Sequence, residues 1–177
     1  MEMAKKVRLV NMRNNFGCKN RLFLPYSTNF RILALSKTNL IMNTYSIGID
    51  IGGTNTDIGL VRDDGHCLAK KNLPTNKYYD ASIYVSDIYS KIKYLMAENG
   101  VEAIDGIGIA APAGNYYTGC IENATNLNFK GIVDLAAAFR SHIDVPVVIS
   151  NDANAAAYGE LVYGGAKGMK HFVMFTL

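Results

Sequence analysis

The sequence predicts a mixed α/β fold, and three observations carry that reading. Two apolar runs meet at a Gly-Gly bend, a third strand-like run follows, and helix and strand patterns then alternate through the remainder. Before the bend stand Ile47, Ile49 and Ile51, and after it Ile58, Leu60 and Val61. These β-branched residues and leucine mark both arms as strands, at about 44–51 and 56–62. The turn Asp63-Asp64-Gly65 leads to a third strand near 66–73 that stops at Pro74, which completes a three-stranded meander. Ala81, Val85, Ile88, Ile92, Leu95 and Met96 then recur at helical spacing, so a long amphipathic helix is expected over about 80–99. Asp80 is its expected N-cap and Gly100 its stop.

Ile104 to Ala110 reads as a buried strand ending at Pro112, and a turn-rich stretch extends to Asn128. Ile132, Leu135, Ala136, Phe139 and Ile143 predict a helix near 132–142, and Val145–Ser150 a strand. The alanine-rich segment Ala153–Tyr163 is expected to be helical. A Gly164-Gly165 break then leads to a last strand-like run, His171–Leu177.

At 177 residues the chain is long enough for a substantial core, and 49% hydrophobic with 19% charged residues is an ordinary globular balance. No apolar run approaches the ~18 residues of a membrane span. Cys18, Cys67 and Cys120 are odd in number, widely spaced and without a CxxC, so neither a disulfide framework nor a zinc site is indicated, and a reducing cytoplasm is expected. His66, His142 and His171 stand singly on strand or helix patterns and are read as structural.

Charge is unevenly spread. Residues 1–41 hold eight Lys and Arg against Glu2 alone, a net of +7, and since the whole chain carries +3 the remainder carries −4. The basic balance therefore belongs to the leader and does not argue for a nucleic-acid partner. The leader shows no clear helix or strand period, and it lacks the apolar region and small-residue cleavage signal of a targeting peptide. It is read as a disordered or non-native extension, translated from a start codon upstream of Met42. Forty-one residues without a helix-turn-helix pattern do not support a DNA-binding module.

The bend itself carries chemistry. In Asp50-Ile51-Gly52-Gly53-Thr54-Asn55-Thr56-Asp57 the glycines have no Cβ to keep a phosphate from the backbone, both can take positive φ, and successive N–H groups in such a turn form an anion-binding concavity. A Walker A loop would need Lys followed by Ser or Thr, and a dinucleotide fingerprint would need a helix after the glycines. Here a strand follows, so a phosphate would lie across a hairpin. Farther on, Asn151-Asp152 closes a strand and opens a helix, where ligands collect in open α/β sheets. A kinase acting on an alcohol needs a carboxylate to accept the hydroxyl proton, and Asp152 is the candidate. Asp50 is better placed to orient Mg²⁺ through water.

The hairpin, the segment Gly106-Ile107-Gly108-Ile109-Ala110-Ala111-Pro112-Ala113-Gly114 with Thr118–Leu127, and Asn151–Glu160 together resemble the ROK family of repressors, uncharacterised reading frames and sugar kinases, and its glucokinase-like members. The resemblance spans about residues 45–177 and implies a ribonuclease-H-like lobe of the actin-like ATPase superfamily, a mixed sheet flanked by helices. It implies an ATP-dependent hexose kinase using ATP and Mg²⁺, with a hexose partner (glucose favoured), no nucleic-acid or membrane partner, and a homodimer as the full-length form. By this resemblance Asp50, Gly52, Gly53, Thr54 and Asn55 match the phosphate loop, Gly114, Asn126 and Asn151 contact sugar, and Asp152 is the base. Ala113-Gly114 stands where the family often has Pro-Gly. Nothing in the chain matches the family's second phosphate loop, Glu/His sugar segment, zinc motif or adenosine site. The expectation is an N-terminal fragment: a kinase lobe over 42–170, then the first strand of a second lobe at 171–177. The alternatives are a sugar-responsive regulator and an inactive truncated product.

Overall fold

The computed structural model describes residues 8–10 and 44–175. Strand β1 is Arg8–Val10, and strands β2 (Tyr45–Ile51), β3 (Asn55–Arg62) and β4 (Cys67–Pro74) follow. After a short 3₁₀ turn at Thr75–Lys77 come α1 (Ala81–Glu98), β5 (Ile107–Ala111), β6 (Gly114–Asn115), β7 (Cys120–Glu122), β8 (Ile132–Val133), α2 (Leu135–Arg140), β9 (Val147–Asn151), α3 (Asp152–Val162) and β10 (Val173–Phe175).

The main sheet has five strands in the order β4-β3-β2-β5-β9. β2, β3 and β4 form the antiparallel meander, whereas β2, β5 and β9 run parallel. Period-two alternation sends Ile47, Ile49, Ile51, Ile58 and Leu60 to one buried face. On that face they join the buried stripe of α1 (Tyr84, Val85, Ile88, Ile92, Leu95) and Leu135 and Phe139 of α2 in one core. The register partners Gly59, Gly48 and Gly108 share the other face, flanked in the same row by Lys70 and Val148.

The α1 boundaries follow from its ends. The Asp80 carboxylate accepts from the N–H groups of Ser82 (2.7 Å) and Ile83 (3.2 Å), and Gly100 stands at φ 63 past the last turn.

Two expectations are corrected. The helix expected near 132–142 is confined to Leu135–Arg140, because Asp134 caps it by accepting from the Ala137 N–H at 2.8 Å, and Ile132 instead lies exposed in β8. The turn-rich stretch holds two short strands, β6 and β7, which join β8 in a small antiparallel sheet, β6-β7-β8. Of residues 1–41, Arg8–Val10 are described and pair antiparallel with Val173–Phe175, apart from the main sheet. The other leader residues and residues 176–177 lie outside the described residues. No described helix is long and apolar enough to cross a membrane.

Candidate active site

The parallel register gathers the candidate residues at one end of the sheet. Asp50 of β2 is level with Ala110 of β5, which is level with Ser150 of β9. The chain therefore leaves β2 into Gly52-Gly53 and β9 into Asp152 on the same edge, with β2 and β9 two strand spacings, about 10 Å, apart. This carboxyl-end edge is where open α/β sheets hold ligands.

The β2–β3 bend is tight: the Gly52 N–H donates to the Asn55 carbonyl at 2.9 Å. Neither Gly52 nor Gly53 takes positive φ, so their requirement for glycine is steric rather than conformational. A Cβ on Gly52 would stand 2.9 Å from the Asn55 carbonyl oxygen, and one on Gly53 would stand 2.9 Å from that of Asn126. Gly53 thus packs directly on the loop that carries the expected sugar contact. The Gly53 and Thr54 N–H groups have no acceptor among the described residues, and the Thr54 and Asn55 side chains are exposed.

Gly114 makes the second close approach. A Cβ there would lie 2.5 Å from the Ser150 carbonyl oxygen, so the β6–β7 hairpin rests on the residue just before Asn151-Asp152. Ala113 before it stands at φ 53, a left-handed conformation that costs an L-residue about 1–2 kcal/mol. Glu122 steadies this hairpin by accepting from Asn115 Nδ2 (2.9 Å) and Thr118 Oγ1 (2.8 Å).

Asn151 is the N-cap of α3, its side-chain oxygen accepting from the Ala153 N–H at 3.0 Å. Capping therefore falls to Asn151. Asp152 accepts from the same N–H through Oδ1 at 2.7 Å and is otherwise exposed at the head of the helix. α3 itself has no buried residue.

One acid escaped the sequence reading. Asp57 is the register partner of Asp50 across the hairpin, so both exposed side chains project from the same face. The signal was available, because a bend at Gly52–Thr54 sets position 50 opposite 57. No group of three or more His, Cys, Asp and Glu side chains converges on one point among the described residues. Asp50 and Asp57 are a pair of carboxylates of the kind that Mg²⁺ can take through water, since it keeps several waters and needs one or two carboxylates plus phosphate oxygens. His142 stacks on the Tyr89 ring at 5.1 Å, in keeping with a structural role. A groove of about 590 Å³ between β4 and α1, lined by Lys71, Lys77 and Lys91 among others, contains none of the candidate residues. Asp50, Thr54, Asn55, Asn126 and Asp152 are all exposed, so these residues line an open surface.

Residues 46–177 match the family model described as the ROK family. The chain belongs to the ROK family. A glucokinase of Streptomyces coelicolor is 34% identical over 132 residues, covering 75% of this chain and 40% of that protein. A xylose repressor of Bacillus subtilis is 31% identical over 139 residues, covering 75% of this chain and 35% of the repressor. Among solved structures, a ROK glucokinase of Streptomyces griseus in complex with glucose and AMPPNP is 31% identical, with a TM-score of 0.57 over 70% of this chain and 38% of that one. The fold is that of the ROK actin-like ATPase sugar kinases. The chain spans about 40% of the length of the glucokinase relatives it matches.

Proposed function

We propose that this chain forms the phosphate-loop and base-bearing lobe of an ATP-dependent hexose kinase that works in the cytoplasm, with glucose its favoured acceptor. The observation that supports this reading most is the shared sheet edge, where the Gly52-Gly53 bend and Asp152 lie about two strand spacings apart. That separation leaves room for a sugar hydroxyl beside Asp152 and a phosphoryl group at the bend.

In this reading Asn126 and Asn151 orient the sugar hydroxyls, and the backbone at Gly114 lets the ring approach closely. The N–H groups of Gly53 and Thr54 hold phosphate oxygens, with Thr54 and Asn55 side chains beside them. The acceptor hydroxyl oxygen forms a bond to the γ-phosphorus as the bond to the β–γ bridging oxygen breaks. ADP departs, and the hydroxyl proton passes to the Asp152 carboxylate. Asp50, with Asp57 opposite, would hold Mg²⁺ through water; when bound, the ion offsets the charge on the phosphates. Most of the acceleration comes from positioning and fixed dipoles.

The second reading, a sugar-responsive transcriptional regulator, is favoured by the xylose repressor relative. A carboxylate set at the strand end favours the kinase, since sensing a sugar needs no base. The test joins residues 1–177 to the remaining part of the Streptomyces coelicolor glucokinase and measures hexose phosphorylation. Asp152→Asn is expected to lower kcat about 10²-fold or more with little change in sugar KM, because the amide keeps the shape but cannot take the proton. Near-normal kcat would remove Asp152 from the role of base.

A further inference from the structure

The phosphate bend and the Asn126 loop touch directly where Gly53 packs on Asn126, but a single contact leaves two loops free to pivot. A second connection runs through the 3₁₀ turn at Thr75–Lys77. The Thr54 carbonyl accepts from the N–H groups of Thr75 (2.8 Å) and Asn76 (3.4 Å). The Asn76 carbonyl in turn accepts from Asn128 Nδ2 at 2.7 Å. Gly53, Asn126, Asn128, Asn76 and Thr54 thereby close a ring of contacts that attaches the two loops at two points.

The turn is itself anchored beneath. Thr75 Oγ1 bonds Thr56 Oγ1 at 2.7 Å, and Thr56 Oγ1 also bonds the Tyr84 hydroxyl. All three residues are buried, so these polar groups are matched to one another and an alternative seating of the turn would leave them without partners. The Tyr84 ring also lies 5.4 Å from that of Phe129, in the same segment as Asn126 and Asn128.

We infer that the Thr75–Lys77 turn, held by Asn128 on one side and Tyr84 beneath, is a positioning device that locks the phosphate bend to the sugar-side loop, so that displacement of one is passed to the other. In the kinase reading, on which its functional meaning rests, hexose arriving at Asn126 sets the geometry of the phosphate bend before the nucleotide reacts. Asn128, Thr75 and Tyr84 are then positioning residues that touch neither substrate.

The test uses amide exchange and ¹H–¹⁵N spectra of the 177-residue chain. Asn128→Asp removes the donor to Asn76, and Thr75→Ser, which keeps both the hydroxyl and the N–H, serves as the conservative control. The Gly52 N–H, which bonds Asn55 inside the bend, is expected to exchange about tenfold faster in Asn128→Asp. It should exchange as in the parent in Thr75→Ser, with the thermal midpoint little changed in both. Exchange altered only at residues 76 and 128 would overturn the inference, as would an equal effect in both variants. Tyr84→Phe provides a second route: it should also speed Gly52 exchange, and an unchanged rate would count against the lock. Glucose separates this inference from the kinase reading. If the parent binds glucose, Gly53 and Thr54 resonances should shift in the parent but not in Asn128→Asp, even as Asn126 and Asn151 still respond. A shift that survives the substitution would overturn the lock. No response to any hexose in the parent would tell against the kinase reading, and the exchange rates would still decide the lock.

Discussion

Glycine at positions 53 and 114 is fixed by what stands next to it. At Gly114 an added methyl would come within 2.5 Å of a backbone oxygen of β9, and a backbone group in a packed sheet cannot rotate away as a side chain can. Gly114→Ala is therefore expected to destabilise the fold by about 1–3 kcal/mol, as overpacking does, and to displace Ser150 and the Asn151-Asp152 pair behind it. Chemical denaturation measures the first effect and resonance shifts at residues 150–153 the second; unchanged values for both would show that the β6–β7 hairpin does not rest on β9. Gly53 illustrates what the sequence conceals. The Gly-Gly pair marked the bend, but the contact that makes Gly53 necessary comes from Asn126, more than 70 positions later, and no local pattern announces it. Asp57 was within reach, since hairpin register follows from the position of the bend.

The α1 helix shows how a buried polar group ties secondary structure to pH. Burial pushes the Tyr84 phenol up to about 12, an effect that the hydrogen bonds from Thr56 and Thr75 only partly offset. In the unfolded chain the phenol ionises near pH 10. A raised folded-state value means that the stabilisation is fully present below about pH 10 and is lost as pH rises towards 12, to the extent of about 2–3 kcal/mol. Denaturation midpoints measured from pH 8 to 12 should fall over that window, and Tyr84→Phe should flatten most of the fall. Tyr78 is also pushed up to about 12 by burial and by its bond to Asp87, but it is partly exposed and solvent screens its share, so it leaves a smaller residual slope. A decline as steep in the phenylalanine variant would assign the effect elsewhere. The α1 helix was legible in the sequence because 18 residues carry both a period and a cap. The β6-β7-β8 sheet was not, because strands of two or three residues are shorter than any period they could display. Ile132 continued the helical spacing of Leu135 and Phe139, and only the cap at Asp134 decides against it.

Across the described chain the five-stranded sheet and the core on its α1 face form one body, to which the β1–β10 ribbon adds a separate pair of strands. Removing residues 1–41 takes away β1 and leaves every main-sheet pairing in place. The thermal midpoint is expected to change by no more than a few degrees, and a larger fall would show that the leader packs on the core. Catalysis is the more demanding test of the whole. Asp152, Thr54, Asn55 and Asn126 are all exposed, so in the 177-residue polypeptide the proposed acceptor and phosphate positions stand open to water. Phosphoryl transfer to a sugar requires that water be kept from the γ-phosphorus and that fixed dipoles act in a dry site, where they are strongest. A wall of this kind can bind and orient, but it cannot exclude solvent from the reacting atoms. With ATP, Mg²⁺ and a panel of hexoses, the chain assayed by itself is therefore expected to release no sugar-dependent ADP. Joined to the remaining part of a glucokinase relative, the same residues should turn over. Sugar-dependent ADP release by the 177-residue chain that Asp152→Asn abolishes would show that these residues enclose their own reacting centre, and would overturn the reading of the site as one open wall of a cleft.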